Sequence, residues 1–388
     1  MIWRGGRTED SQLRVAIVGC GYVAGFYLKT FSLYPELKLV GATDSDSERA
    51  AQFTCYYGLP HYRSLDTLLA DKSVDIVLNL TNPRSHFAVS QAALLAGKHV
   101  YTEKPLAMSL SEAKELVSLA ASRGLRIASA PSRILAAPAQ TMWKAIRQGV
   151  IGKVRLVYAE MDDGLVHRMA YKSWLSDAGA PWPYQDEFEI GCTAEHAGYS
   201  LTWLLAFFGP AESITAFASC QIPDKQPDVP IDKMGPDFSV ACIQFASGVV
   251  ARLTCSLVAP SDHSIRIFGD DGILSINDCW KPRESVYVHK RINLLGRAVT
   301  PPWGKRYPLL KDPRPQLRDR RFKKVDFCLG LSELAEAITQ NRSCRLSAEY
   351  CLHATEIVLA IHNAAKTEMP YKLQSSFAPM APMPWANG

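Results

Sequence analysis

Over the first third of the chain, short runs of buried-type residues alternate with amphipathic stretches. Val15-Ala16-Ile17-Val18, Leu37-Lys38-Leu39-Val40, Val74-Asp75-Ile76-Val77-Leu78, His99-Val100-Tyr101 and Arg126-Ile127-Ala128 are rich in β-branched and aliphatic side chains. Strands of this length spaced by helix-length segments predict a doubly wound parallel sheet, buried on both faces. The helix before the last of them carries boundary signals: Ser109-Leu110-Ser111-Glu112 has capping-box spacing, and Gly124 stands where a C-cap glycine belongs.

Past Gly149 and Gly152 the rhythm changes to longer, near-alternating segments at 154–161, 213–220, 238–245, 249–257 and 264–268. Turns such as Ser247-Gly248 and Asp270-Asp271-Gly272 separate several of them, which predicts antiparallel hairpins. Helical periodicity returns at 325–339 and 348–367, and 379–384 is Pro-rich. The expected organisation is a polar tail (1–12), a doubly wound α/β domain (13–148), an α+β domain with antiparallel hairpins (149–370), and a Pro-rich tail (371–388). No internal repeat is evident.

Composition changes this picture little. The 388 residues are 47% hydrophobic and 21% charged, as in ordinary soluble proteins. No stretch is long and apolar enough for a membrane span, and the first residues lack the apolar run of a secretory signal, so a cytoplasmic protein is expected. The ten cysteines show neither a C-x-x-C pair nor zinc spacing with histidine. They read as reduced core residues, and no metal is expected. Charge is more informative. Residues 281–324 hold 14 Lys and Arg against three acids in a chain of net charge +5. The prolines among them suggest an extended basic arm serving subunit contact or an anionic substrate; no nucleic-acid reading module accompanies it.

Gly19-Cys20-Gly21-Tyr22-Val23-Ala24 follows the first strand and opens a helix. In that context a G-x-G-x-x-A pattern permits a tight turn and lets backbone approach a pyrophosphate at the helix N-terminus. Asp44 ends the second strand, where a carboxylate accepts hydrogen bonds from an adenosine ribose. With Asp46 close by and no adjacent Arg, repulsion of a 2′-phosphate favours NAD over NADP. Thr81-Asn82-Pro83, past the third strand, is either a simple turn or a further cofactor contact at the carboxyl edge.

Thr81-Asn82-Pro83-x-x-His86 followed by Ala96-Gly97-Lys98-His99-Val100-Tyr101-Thr102-Glu103-Lys104-Pro105 resembles the glucose-fructose oxidoreductase, inositol dehydrogenase and MocA-like family. The resemblance extends through Gly149-x-x-Gly152-Lys153-Val154, Asp326-Phe327-x-x-Gly330 and Ser347-Ala348-Glu349. It implies a Rossmann domain followed by an open-sheet domain, action on sugars, sugar derivatives or cyclitols, and dimers or tetramers formed through that sheet. It also implies that Lys104 projects between nicotinamide and substrate, where an ammonium stabilises a developing alkoxide. The cofactor candidates are Gly19, Gly21, Tyr22, Val23, Ala24, Asp44, Thr81, Asn82, His86, Glu103, Lys104 and Arg133.

The second signature departs from the commonest family pattern, Asp-x-Gly-x-His followed ten residues later by Gly. Counting back from Gly209 places Tyr199 at the histidine position and Glu195 at the aspartate position. A phenol beside a lysine is a competent proton donor and acceptor. If the segment is helical, Glu195, His196 and Tyr199 reach one site; His196 also reads as a buried, satisfied histidine. The catalytic candidates are Lys104, Tyr199, Glu195 and His196. Between 161 and 191 lie Tyr171, Trp174, Trp182 and Tyr184, whose rings either cover a sugar face or anchor the loop. Asp162, Asp163, His167 and Lys172 are candidates for hydroxyl binding, with Asp163, His167, Trp174, Tyr184, Lys104 and Tyr199 forming the expected substrate site.

The expected activity is a nicotinamide-dependent oxidoreductase interconverting a secondary alcohol and its ketone, with Tyr199 as acid/base and Lys104 assisting. Two other readings stay open: a hydrolase or lyase that uses bound NAD transiently, and a non-catalytic sugar- or NAD-sensing protein.

Overall fold

A computed structural model describes residues 12–314 and 325–387. The first unit runs β1 (Leu13–Val18), α1 (Ala24–Phe31), β2 (Leu37–Thr43), α2 (Ser47–Tyr57), α3 (Leu65–Ala70), β3 (Ile76–Asn79), α4 (His86–Leu95), β4 (His99–Thr102), α5 (Leu110–Ser122) and β5 (Ile127–Ser129). All five strands are parallel, in the order β2-β1-β3-β4-β5. Val15, Ala16, Ile17, Ile76, Val77 and Leu78 are fully buried, as strands covered on both faces require. Ser109 caps α5 by accepting from the Glu112 amide at 3.2 Å, and Gly124 follows the helix with φ +64°.

The second unit comprises α6 (Ala137–Arg147), β6 (Val154–Asp162), α7 (Tyr184–Ile190), α8 (Cys192–His196), α9 (Gly198–Phe208), β7 (Ala211–Ser219), β8 (Phe238–Phe245), β9 (Val250–Ser256), β10 (Ile265–Gly269) and β11 (Gly272–Ile276). Then come β12 (Val286–Lys290), β13 (Ile292–Leu294), β14 (Arg297–Val299), β15 (Lys305–Tyr307), α10 (Leu329–Thr339), α11 (Ala348–His362) and β16 (Tyr371–Lys372). Nine strands form one sheet ordered β15-β12-β11-β10-β6-β9-β8-β7-β16, antiparallel except for the central β6–β9 pair. Helices α8, α9 and α11 cover one face. The other is open, with Phe217 56% exposed and Arg252 lying over the Tyr158 ring.

Three expectations change. The described part of the basic segment is not a plain extended arm: β12 and β15 extend the large sheet, and β13–β14 form a separate hairpin. The expected Pro-rich tail is packed instead of loose. Its β16 pairs with β7, Glu356 accepts from the Gln374 and Ser375 amides at 2.8 Å, and Phe377, Met380, Met383 and Ala386 are buried. Cys55 and Cys242 are exposed, unlike the other cysteines, most of which are buried as expected. The polar tail, apart from Gln12, lies outside the described residues, as do residues 315–324 of the basic segment. Helices α10 and α11 fold back against β4, β5 and α5, so the end of the chain closes over the first sheet. No described helix is long and apolar enough to cross a membrane.

Candidate active site

A cavity of about 1250 Å³ lies along the carboxyl edge of the parallel sheet, where ligands of open α/β sheets collect. At one end β1 turns through Gly19 with φ +99°. A Cβ there would stand 2.6 Å from the Leu80 carbonyl carbon, so only glycine lets the loop close against the end of β3. Helix α1 then begins without a side-chain cap and without an acid in its first turn. Its first amides and its dipole therefore favour an anion. Gly19, Gly21, Tyr22 and Val23 line the cavity. Ala24 does not; it is fully buried at the start of the helix.

Asp44 lines the same end, and its carboxylate is crowded with donors. The Cys20 amide reaches Oδ2 at 2.7 Å and the Asp46 amide reaches Oδ1 at 2.9 Å. Arg49 donates to both oxygens, Nε at 3.0 Å and Nη2 at 2.8 Å. Burial opposes ionisation, but the Arg49 and amide hydrogen bonds hold the carboxyl below its ordinary value. The expectation of no adjacent arginine is thereby corrected. Arg49 stands five residues after Asp44 in the first turn of α2, whose N-cap, Asp46, accepts from the Glu48 and Arg49 amides. Arg63 lines the cavity too. This end is neither purely acidic nor repulsive toward a phosphate.

Along the sheet edge, Asn82 accepts from the Ser85 amide at 3.1 Å and caps a short 3₁₀ turn, so the polar turn and the cavity wall are the same structure. The fully buried His86 ties that turn to the next loop, with Nε2 3.0 Å from the Thr81 oxygen and Nδ1 2.7 Å from the Pro105 oxygen. Glu103 is fixed by the Tyr27 hydroxyl at 2.7 Å and accepts from the Lys104 amide at 3.2 Å. The carboxylate therefore belongs to the scaffold, while the neighbouring side chain, Lys104, extends to an ion pair with Glu195. Burial alone would depress the Lys104 ammonium; Glu195, with Tyr199, Glu187 and Glu103, overcomes it and raises the pKa above the ordinary lysine value.

Glu195 and His196 end α8 and Tyr199 begins α9. The intervening Ala197 keeps helical angles, φ −56° and ψ −30°, so all three line one cavity wall as their spacing predicts. Gly209 is the C-cap of α9, with φ +82°, which explains physically why the ten-residue count ends on glycine. The edge of Trp280 packs on the Tyr199 ring with centroids 4.8 Å apart. Burial pushes the phenol pKa above its ordinary value, with Lys104 pulling the other way.

Asp163 lines the cavity but is no free acceptor for a hydroxyl. His196 Nδ1 engages one of its oxygens, and His263 Nε2 reaches the other at 3.0 Å. His263 Nδ1 is also 3.6 Å from Asp278 and its ring stacks on Trp280 at 4.7 Å. Burial would lower both imidazoles, yet the carboxylates push each up to about 9. His196 is thus the satisfied histidine of the plainer expectation, held at the cavity wall. Glu187, 3.9 Å from His196 Nε2, is raised by burial and by Glu195 to about 7.

Of the remaining candidates, Trp174 lines the cavity together with Trp182, their rings 5.1 Å apart. His167 and Tyr184, also expected at the substrate site, do not line this cavity. His167 Nδ1 is buried without a partner, whereas the Tyr184 hydroxyl donates to Asp228 at 3.2 Å. Asp162 accepts from Ser256 at 2.6 Å and Lys172 pairs with Asp228, both outside the cavity lining. Sequence reasoning missed Glu187, His263, Asp278 and Trp280, because no local spacing joins them to 163 and 196. Among the described residues no group of His, Cys, Asp and Glu could hold a metal ion.

A glycine-turned helix start, a carboxylate at the end of the second strand, and a lysine and phenol line one cleft, as a dinucleotide-dependent oxidoreductase requires. Residues 13–130 match the oxidoreductase family with NAD-binding Rossmann fold that is named for GFO, IDH and MocA, and residues 139–275 match the GFO/IDH/MocA C-terminal domain. The chain belongs to this family of NAD(P)-binding oxidoreductases. It is 26% identical to trans-1,2-dihydrobenzene-1,2-diol dehydrogenase of Bos taurus, over 71% of this chain and 77% of that one. Two solved structures share the fold. The WlbA dehydrogenase of Bordetella pertussis, in complex with NADH and UDP-GlcNAcA, has TM-score 0.69 and 19% identity, over 93% and 97% of the two chains. KijD10, a 3-ketoreductase of Actinomadura kijaniata in complex with TDP-benzene and NADP, has TM-score 0.69 and 19% identity, over 91% and 98%.

Proposed function

We propose that the enzyme interconverts a secondary alcohol and its ketone on a sugar, a sugar derivative (nucleotide-linked ones included) or a cyclitol. The observation that carries this reading is the convergence of Lys104, Glu195 and Tyr199 on one wall of the cavity that the glycine loop opens. The uncapped start of α1 and the open space beside Gly21, where a Cβ would meet nothing within 4 Å, fit a dinucleotide. Bound NAD(P) supplies the hydride donor or acceptor.

In the reduction direction the neutral Tyr199 phenol gives its proton to the carbonyl oxygen as the carbon accepts a hydride, and the Lys104 ammonium stabilises the developing alkoxide. Its raised pKa keeps Tyr199 protonated in the resting site. Glu195 holds the ammonium in place. In the oxidation direction Tyr199, its own proton first released to solvent, takes the hydroxyl proton as the carbon gives up its hydride.

NAD is the preferred cofactor in this reading because Asp44 accepts from a ribose diol, while Arg49 leaves room for NADP. The chain acts in the cytoplasm, as a dimer or tetramer joined through the open sheet face around Phe217. The basic segment serves assembly or substrate, not nucleic acid.

The test is to denature the purified protein, examine the supernatant for released NAD(P), and assay the native protein with free and nucleotide-linked sugars and cyclitols. Stoichiometric NAD(P)H with ketone supports the dehydrogenase. Turnover without net NAD(P)H would replace it with transient internal redox.

A further inference from the structure

Strands β13 and β14 pair with each other and with no other described strand, and every residue from Arg291 to Val299 is exposed. Their register, Leu294 opposite Arg297 and Ile292 opposite Val299, leaves the two-residue turn Leu295-Gly296, with φ +52° and +79°. Positive φ at both positions defines a type I′ turn, which Asn-Gly fills best. A leucine there is strained, and Leu295 is 96% exposed. A side chain that strains the turn and buries nothing serves something outside the fold.

The hairpin is ordered by depth. Opposed residues share a face, so Ile292, Val299 and Leu294 make one apolar face with Leu295 at its tip. Lys290 and Arg291 lead into the root, Lys305 and Arg306 follow it, and Arg297 flanks the turn; from Lys290 to Arg306 there are five cations and no acid. Their charges face neutral partners: Lys290 and Arg291 donate to the backbone oxygens of Val150 and Asp270, and Arg306 lies over the Tyr287 ring. Trp303, between the hairpin and β15, is 77% exposed. Aliphatic tip, tryptophan and cationic root together are the composition of an element that enters a membrane interface. The strands and turn reach roughly 10 Å beyond Arg291, and interfacial elements bury their apolar side about 5–10 Å deep.

The register of the large sheet fixes where the hairpin emerges. Lys290, the end of β12, lies opposite Gly272, which pairs with Gly269, which pairs with Val154 at the start of β6. The cavity residues Asp163, His263 and Trp280 stand past the other ends of β6, β10 and β11. A surface that holds the hairpin therefore leaves the cavity accessible.

We propose that the β13–β14 hairpin docks the enzyme on an anionic lipid surface, its leucine tip entering the interface and its cations meeting the headgroups. Each cation near such a surface adds attraction that salt screens. The basic segment is thereby divided: β12 and β15, as strands of the large sheet, keep the assembly role, and the hairpin between them meets the lipid.

The experiment mixes the full chain with phosphatidylcholine vesicles, with and without roughly a third phosphatidylserine. Binding is read by cosedimentation and tryptophan emission, and mass without vesicles by light scattering. The chain should partition to the anionic vesicles at least about tenfold more strongly than to neutral ones at low salt, and less as salt rises. The double variant Leu294→Asn, Leu295→Asn supplies a favoured turn residue, so melting temperature and the Kd for NADH should stay unchanged while partitioning falls roughly tenfold or more. Arg297→Gln with Lys305→Gln should lose a smaller factor, at low salt only. A blue shift on binding should shrink in Trp303→Phe.

No partitioning at low salt, or equal partitioning to both vesicles, would overturn the proposal. Undiminished binding by the leucine variant would overturn it too, leaving only adsorption of surface charge. A fall in mass in the leucine variant, with no vesicle binding by wild type, would reassign the hairpin to a second copy of the chain.

Discussion

Arg49 grips Asp44 through both carboxylate oxygens, at 3.0 and 2.8 Å, so the residue expected to exclude NADP carries its own counter-charge. Two of the five Arg49 N–H donors are spent on Asp44, and the side chain is 40% exposed. A 2′-phosphate would draw the guanidinium by the same charge-assisted bonding that now holds it on Asp44. Arg49→Met should therefore weaken NADPH roughly tenfold or more and NADH much less. Quenching of nicotinamide fluorescence in parallel titrations measures both. An unchanged NADH/NADPH ratio would place Arg49 outside cofactor selection.

Tyr199→Phe keeps the ring and its contact with Trp280 while removing the proton. Turnover should fall by roughly 10² to 10⁴-fold where chemistry limits the rate, with NADH affinity and melting temperature retained. Lys104→Met should cost a similar factor, and the double variant little more, because the two groups act as a unit. His196→Asn should cost far less, since that imidazole is spent on Asp163. Near-normal turnover in Tyr199→Phe together with collapse in His196→Asn would move the acid/base role to the histidine.

Stability should depend on pH through the buried cluster, and the sign follows from which state binds more protons. His196 and His263 have pKa values near 9 against an ordinary 6.5, so their contribution is complete below 6.5 and is lost as pH rises through 9. Glu187, raised to about 7 from 4.5, also makes the folded chain the stronger proton binder, which lowers stability between those values. The melting temperature of the ligand-free enzyme should fall from pH 6.5 to 9, and Asp163→Asn should flatten that slope. A wild-type profile that rises across the window, or a variant of equal slope, would contradict the assignment.

The sequence made legible what is local. Strands β1 to β5 are apolar runs between amphipathic helices, and β6 to β10 alternate visibly, so both sheets were readable. Strands β12 and β15 were not, because Pro and Lys/Arg lie around them, β15 is a three-residue edge strand, and the alternation of β12 spans only Val286–Lys290. The packed C-terminal stretch was hidden for a related reason: Phe377, Met380 and Met383 are buried from extended, proline-rich chain, which has no helical or strand period. The candidate site divides the same way. Asp44, Lys104 and Tyr199 stand in motifs of a few residues, whereas the Asp163–His263 contact joins positions 100 residues apart that only the folding of β6 beside β10 brings together. Arg49 shows a third case: it stands five residues after Asp44, and the start of α2 turns its side chain back to the strand end.

The segment between β6 and α7 crosses from the second unit to the first and roofs the cavity with Trp174, Asp177, Ala180, Pro181 and Trp182. Its tip is fastened by Asp177 to Lys29 of α1 at 3.1 Å, and Arg84 adds pairs to Asp186 and Glu189 at 3.1 and 2.8 Å. A dinucleotide entering or leaving this cavity must part the roof from α1, so the Lys29–Asp177 pair should slow cofactor exchange. Both side chains are partly exposed, which limits the pair to about 0–1 kcal/mol and makes it sensitive to salt. Asp177→Asn should then speed NADH dissociation by up to about fivefold at low ionic strength, and raising the salt concentration should bring wild type toward the variant. Stopped-flow displacement of NADH by excess NAD, followed by fluorescence, gives the rate directly. Identical dissociation rates at every salt concentration would mean that the roof does not gate the cofactor.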